Sequence, residues 1–272
     1  MPELPEVQTV VNHLKSQLIG RRILNIEIIW PKVLDNFKPE ELFTYKSNLK
    51  VNDVFRRAKF IIIQLDFYIL AIHLRMTGKL HIIKDEPFPK HTSSVINLDN
   101  NYKLIFEDVR KFGRIYLYRD LDVINSKYGI EPLSNSFSSK LFQDLILTKK
   151  RNIKGLLLDQ SIISGLGNIY VDESLWMSGI HPNSISCSIS KLKLKRLHES
   201  IISILQEAIA SKGTTIIDFS VNGESGRYSS QLRVYGKKGH QCLNCKNNII
   251  KLRVCGRGTY VCKKCQKIYT KR

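Results

Sequence analysis

Four cysteines near the C-terminus constrain this chain more than any other feature. Two residues separate Cys242 from Cys245, two separate Cys262 from Cys265, and sixteen separate the pairs. C-x2-C-x16-C-x2-C is the spacing of two thiolate knuckles sharing one tetrahedral Zn2+. A disulfide framework suits short secreted domains instead. This chain has 272 residues, and its N-terminus lacks the basic-then-apolar order of a signal peptide. The expectation is one structural zinc ion with a closed shell, hence no catalytic metal. Between the knuckles, IIKLRV, GRG and TYVC read as a β-hairpin with Arg257 at its tip. Cys187 and Cys255 fall outside the tetrad and are expected to be small buried or half-buried residues.

Charge points to the partner. The chain carries 43 Lys and Arg against 24 Asp and Glu, a net charge of +19. Residues 225–272 hold no acidic residue and 13 basic ones, so the cysteine module sits in the most cationic stretch. A polyanion, most simply nucleic acid, fits that surface. Hydrophobic content of 43% is ordinary for a globular protein, and no apolar run approaches the ~20 residues of a membrane span. The expected location is cytoplasmic, associated with the nucleoid.

Two kinds of pattern precede the cysteines. Residues 4–18 place Leu4, Val7, Val10, Val11, Leu14 and Leu18 on one helical face, with Gly20 as a stop. From 21 to 120 the pattern is that of strands: RILNIEIIW, KFIIIQL, YILAIHL, GRIYLYR, and a hairpin VINLDNNYKLIF turning at Asp99–Asn101. Short strands at close spacing predict a β-sandwich or barrel. Residues 121–150 read as a connector centred on SNSFSS. Helices are expected at 140–148, 152–160, 168–178 and 190–211. The fold class is therefore α+β: an N-terminal β-sandwich domain (1–130), a helical domain (131–225) and a four-cysteine zinc-finger domain (226–272).

Four further stretches carry chemistry. In SIISGLGNIYVDES, Gly165 and Gly167 make a turn and Asn168 is placed to cap the next helix, whose N–H groups suit a phosphate. HLRMTG (73–78) and DVRKFG (108–113) end in turns that would present Met76, Arg110 and Phe112. Isolated apolar residues are usually core, but DNA-bending proteins use such side chains as wedges between base steps. The chain opens MPELPEV. Removal of Met1 would free the Pro2 amine, and a terminal amine titrates near ~8 rather than the ~10.4 of lysine. A secondary amine attacking a sugar carbon gives an iminium directly, an electron sink for elimination. Glu3 stands beside it to move protons.

Together these residues resemble the formamidopyrimidine-DNA glycosylase family. PELPE at 2–6, RRAK at 56–59, HLRMTG, KH at 90–91, DVRKFG, IKGLLLDQ at 153–160, SGLGNIYVDES at 164–174 and GRGTYVCKKCQ at 256–266 follow the family's order along the whole chain. The opening is that of the 8-oxoguanine branch; the endonuclease VIII branch typically opens PEGPE. The resemblance implies a helix-two-turn-helix in the helical domain, and a monomeric bifunctional glycosylase and abasic-site lyase. Such an enzyme excises oxidised purines from damaged duplex DNA and nicks the strand by β,δ-elimination. It implies Pro2 as nucleophile, Glu3 as proton donor, Lys59 in β-elimination and Arg257 as phosphate binder. Met76, Arg110 and Phe112 would fill the gap left by the everted nucleotide. His91, Lys150 or Arg151, Lys154 and Asn168 would grip the backbone. Glu6, with Ser220 and Tyr228 of the loop 218–228, would recognise the base. Four departures from the family pattern stand out: Arg75 for Gly, Val109 and Lys111 for Pro and Arg, Gly155 where some members carry Pro, and Cys255 for a small residue. Two rivals remain: an endonuclease VIII-like enzyme for oxidised pyrimidines, and a non-catalytic zinc-finger lesion sensor, which would not need Pro2, Glu3 and Lys59 together.

Overall fold

A computed structural model describes residues 1–214, 220–221 and 224–270. The chain divides into two compact units, Met1–Ser126 with Ser211–Arg227, and Lys127–Ala210 with Tyr228–Arg272. This grouping differs from the three segments expected from sequence. Residues 211–227 belong with the N-terminal unit, and the cysteine module belongs with the helices.

The first unit opens with α1 (Leu4–Leu18), whose apolar face is buried as its spacing requires. Then come β1 (Arg22–Ile28), the short α2 (Pro39–Leu42), β2 (Leu49–Arg57), β3 (Phe60–Leu65), β4 (Ile69–His73), β5 (Gly78–Lys84), β6 (Thr92–Leu98), β7 (Tyr102–Asp108) and β8 (Arg114–Tyr118). All pairings are antiparallel, in the order β5-β7-β6-β1-β2-β3-β4-β8. β1 and β2 share only the pairs Arg22–Lys50 and Ile23–Leu49, so the strands form two four-stranded halves. One core serves both. Ile23, Ile96, Leu104 and Phe106 from one half cluster with Val54, Ile61, Ile63 and Leu70 from the other, and with Val7, Val11 and Leu14 of α1. This is the expected β-sandwich. The turn at Asp99–Asn101 is present, with Asn100 and Asn101 left-handed, a conformation Asn tolerates. β9 (Ser220–Val221) and β10 (Glu224–Ser225) form a small hairpin in the same unit.

α3 (Asp122–Lys127) leads into the second unit, which holds α4 (Ser139–Leu147), α5 (Ile153–Leu157), α6 (Asn168–Ser178) and α7 (Lys191–Ala210). The connector centred on SNSFSS turns inward rather than out. Phe137 is buried against Phe142 at 5.5 Å, and Ser138 caps α4 by accepting the Leu141 N–H at 3.2 Å. Residues 158–167 join α5 to α6 in the helix-two-turn-helix arrangement. β11 (Ile250–Val254) and β12 (Arg257–Val261) form the hairpin between the cysteine knuckles. Among the described residues, no helix is long and apolar enough to cross a membrane.

Candidate active site and nucleic-acid interface

At the start of α1, Pro2, Glu3 and Glu6 are all buried while Met1 is exposed. Glu6 holds this end in place. Its Oε2 accepts the Glu3 N–H at 2.8 Å, and its Oε1 accepts the Thr214 N–H, also at 2.8 Å. Both donors are backbone groups, so one carboxylate ties the helix start to the segment that returns at residue 211. Gly213 is left-handed (φ +80), and a Cβ there would lie 3.0 Å from Glu6 Oε1; glycine meets both demands. Pro2 therefore lies at the positive end of a helix, in a fixed frame with two carboxylates beside it.

Lys59 lies on the two-residue turn between β2 and β3, after the left-handed Ala58. The Arg56 guanidinium braces the turn, donating to Ala58 O at 3.0 Å and to Gln8 of α1 at 3.1 Å. Lys59 is only 5% exposed. The end of β4 is close by: burial, together with the charges of Arg75 and Lys59, lowers the pKa of His73 to about 3. His73 is thus a neutral imidazole, and its Nδ1 accepts the Arg75 N–H at 3.0 Å.

Met76 and Phe112 are 43% and 48% exposed, so the turns present them to solvent rather than to the core. Arg110 joins them. Its guanidinium reaches Met76 Sδ at 3.0 Å and lies 4.8 Å from the Phe112 ring centroid. The Asp108 carboxylate sits beneath, 1% exposed, a residue the sequence reading passed over. An Asp opening a turn that ends in Gly was the available signal. His91 is half-buried, and its carbonyl accepts the Asp108 N–H. Ser220 is described in its backbone only. Residues 218, 219, 222 and 223 of the loop 218–228 lie outside the described residues.

In the second unit the four cysteine sulfurs lie within 4.8 Å of one another. Cys245–Cys262 and Cys242–Cys265 are at 3.3 and 3.8 Å. Thiolates about 2.3 Å from a tetrahedral centre stand about 3.8 Å apart, so the donor set fits a metal ion. The Trp176 indole N–H points at Cys242 Sγ from 3.4 Å. At the other end of the hairpin, Cys255 and Gly256 form a two-residue turn, both left-handed (φ 49 and 76), leaving Arg257 exposed. Cys255 is exposed, not buried as expected, because this turn projects it outward. A Cβ on Gly155 would come within 2.9 Å of its Sγ. Two of the four departures thus fit each other: Gly155 makes room for Cys255.

Lys154 departs from expectation most. It is fully buried, with Nζ donating to Asp172 Oδ1 at 2.6 Å and Thr259 Oγ1 at 2.7 Å. A side chain without exposed surface has none to offer a phosphate. It braces the hairpin instead. Thr259 Oγ1 donates to Arg257 O, and Asp172 Oδ2 accepts the Tyr260 N–H. Burial raises the Asp172 pKa to about 6, against the pull of Lys154. Asn168 does not cap α6; Gly167 occupies that position. Asn168 Nδ2 instead donates to Gly258 O at 2.9 Å, while its buried Oδ1 has no partner among the described residues. Tyr228 is fully buried, packed on Tyr170, and its hydroxyl accepts from Arg233. Burial pushes its pKa up to about 12, and with no exposed surface the ring packs as framework. Glu173, also missed from sequence, accepts the N–H groups of Arg233, Val234 and Tyr235. Lys150 and Arg151 are exposed, Arg151 pairing with Asp159 at 2.8 Å.

Residues 1–115 match the model of the formamidopyrimidine-DNA glycosylase N-terminal domain, and 128–220 match that of its H2TH domain. The chain belongs to this family. The formamidopyrimidine-DNA glycosylase of Protochlamydia amoebophila is 42% identical, over 98% of this chain and all of that one. That of Bacillus subtilis is 38% identical, over 98% and 99%. Among solved structures, a Lactococcus lactis FPG mutant in complex with Fapy-dG-containing DNA superposes with a TM-score of 0.90 at 37% identity, covering 98% of this chain and 100% of that one. MutM in complex with carbocyclic 8-oxo-G-containing DNA gives 0.89 at the same identity and coverage.

Proposed function

We propose that this chain is a bifunctional DNA glycosylase and abasic-site lyase of base excision repair, acting on oxidised purines in duplex DNA. The observation that carries the reading is the start of α1: Pro2 buried at a helix N-terminus, with Glu3 and the tethered Glu6 beside it. Relatives bound to Fapy-dG and 8-oxo-G DNA, at 37% identity over 98% of the chain, support the substrate class.

Loss of Met1 exposes the Pro2 nitrogen, whose lone pair forms a bond to C1′ as the bond to the damaged base breaks. Glu3 supplies a proton for the departing base. The nitrogen gives up its N–H proton and the ring oxygen takes one up as the C1′–O bond breaks and the sugar opens, leaving an iminium between Pro2 and C1′. Loss of a C2′ proton sends an electron pair toward C3′, and the 3′ phosphate leaves. Lys59, on its braced turn, serves this β-elimination. A second loss releases the 5′ phosphate, which the exposed Arg257 guanidinium holds. Met76, Arg110 and Phe112 occupy the space of the flipped nucleotide, an extrusion that costs a few kcal/mol. His91, Lys150, Arg151 and Asn168 contact the backbone. Glu6 and Ser220 border the base. Lys154 acts only through the hairpin it braces.

Cys242, Cys245, Cys262 and Cys265 would hold one Zn2+, which supplies structure rather than chemistry. The protein acts as a monomer on damaged duplex DNA in the nucleoid.

A panel of duplexes carrying 8-oxoguanine, a formamidopyrimidine or an oxidised cytosine tests this reading. The expected products are the free purine and a strand gap with phosphate at both ends. Faster release of the oxidised pyrimidine overturns the purine preference, and binding without cleavage overturns the enzyme.

A further inference from the structure

The two turns that present the apolar tips come from different parts of the first unit. Met76 follows β4, and Arg110 and Phe112 follow β7. Nothing in either sequence fixes their relative reach. In the structure the β5–β7 ladder pairs Gly78 with Asp108 at the base of the two turns, and the Asp108 carboxylate then ties their residues together. Asp108 Oδ1 accepts the Thr77 hydroxyl at 2.5 Å and the Arg110 N–H at 3.2 Å, and Oδ2 accepts the Gly113 N–H at 2.7 Å. Thr77 Oγ1 in turn accepts the Arg110 N–H at 3.1 Å. One buried group therefore contacts both turns at once, and no other side chain among the described hydrogen bonds joins residues 75–78 to 109–113 through the backbone of either turn except Thr77 itself.

The surroundings leave the turns little freedom. A Cβ on Gly113 would overlap the Phe106 ring, and one on Gly78 would lie 2.6 Å from Leu74 O and 2.8 Å from the same ring. Phe106 is thus a common floor, and Asp108 the tie above it. His73 adds a second fixed point, its neutral imidazole accepting the N–H of Arg75, which is itself left-handed (φ 54) where glycine would be unstrained. Arg110 then bridges the tips from above, onto Met76 and Phe112.

We infer that Asp108 is a positioning residue that sets the joint reach of Met76 and the Arg110–Phe112 pair, so that they enter the duplex as one wedge. The inference rests on the proposed reading of these tips. A wedge built from two independent turns would lose order in the bent duplex; a yoked one is preorganised, and a displacement of about 1 Å in such a group costs on the order of 10²-fold in rate. Asp108→Asn keeps the shape but turns one acceptor into a donor that faces N–H or O–H groups.

The test measures base release from an 8-oxoguanine duplex, strand cleavage at a preformed abasic site, and fluorescence of a 2-aminopurine opposite the lesion. All use the full-length zinc-loaded chain. Asp108→Asn is expected to slow base release about 10- to 100-fold, to leave abasic cleavage within about threefold, and to abolish the fluorescence rise. In a Met76→Ala, Phe112→Ala background the same change adds little, because the tips it positions are gone. Thr77→Val keeps the carboxylate and removes one arm, and serves if Asp108→Asn does not fold; it shows the same pattern at smaller size. Equal loss on both substrates, or an undiminished effect in the tip-less background, overturns the inference. A wild-type chain that releases no base overturns the proposed function instead.

Discussion

Two hairpins each deliver a proposed catalytic cation, and they do so in opposite ways. On the β2–β3 turn Lys59 is folded down to 5% exposure beside a neutral buried imidazole. On the β11–β12 turn Arg257 stands exposed beyond two left-handed residues. The residue types match the settings. An ammonium can surrender its proton and be shaped by a buried site, while a guanidinium stays charged and offers a planar fork to phosphate. The supports differ as well. The first turn is held by Arg56 reaching back to α1; the second by Asn168, Lys154 and Asp172 gripping consecutive residues 258–260, with Thr259 in turn donating to Arg257 O. A charge within a motif can thus be the tool or the mount.

Exchanging the cations breaks this contrast most sharply. Lys59→Arg keeps the charge and removes the transferable proton, and β-elimination is expected to fall about 10²–10⁴-fold, read as strand cleavage at an abasic duplex. Arg257→Lys keeps the charge and loses the fork, and the second elimination is expected to slow about tenfold, with β-elimination product accumulating on a gel. Equal losses in the two variants would erase the distinction between them.

The mounts come next. Lys154→Met leaves Asp172 buried without its cation, and breaking such a pair typically costs about 3–5 kcal/mol. Urea unfolding should report it, and replacing both partners by apolar residues should recover most of the loss. If Lys154→Met leaves stability untouched but weakens DNA binding, the lysine contacts phosphate after all.

Acid separates the two units. His73 is neutral when folded down to about pH 3, whereas an unfolded imidazole takes a proton below about 6.5. Its contribution is whole above pH 6.5 and declines as pH falls toward 3, by about 1 kcal/mol at pH 5.5. Asp172, pushed up to about 6, does the reverse: its contribution is greatest below pH 4 and declines as pH rises through 6. Hydrogen-exchange protection of β4 should therefore fall between pH 7 and 5.5 while that of α6 holds or rises. His73→Gln should flatten the β4 response.

The smallest expected effect lies at the tip itself. Gly155→Ala drives a methyl against Cys255 Sγ, an exposed thiol free to rotate away, so the expected cost is about 0.5 kcal/mol. Cys255→Ala alone should be near neutral and should rescue Gly155→Ala. Thermal melting of the four chains closes the cycle.

What sequence could show was what repeats or what punctuates. The face of α1 repeats every three to four residues, the β6–β7 turn is written in DNN, and the tetrad is written in its spacing, so all three were legible. β2 and β5 were not foreseen, since LKVNDVFRR and GKLHIIK mix charges into a half-buried alternation. The burial of Lys154 was hidden for a different reason. Its partners lie 18 and 105 residues away, and only the fold brings them to one point. The same holds for Glu6, whose second partner Thr214 is 208 residues distant. Local pattern singled out the proposed reagents; the contacts that hold Glu6 and Lys154 are long-range.

The proposed mechanism turns on a bond between the Pro2 nitrogen and deoxyribose, and borohydride trapping on an 8-oxoguanine duplex tests for that bond. A covalent protein–DNA adduct is expected with the chain lacking Met1, and none in Pro2→Gly or in protein that retains Met1. An adduct of undiminished yield in either of those would place the nucleophile elsewhere and contradict the assignment.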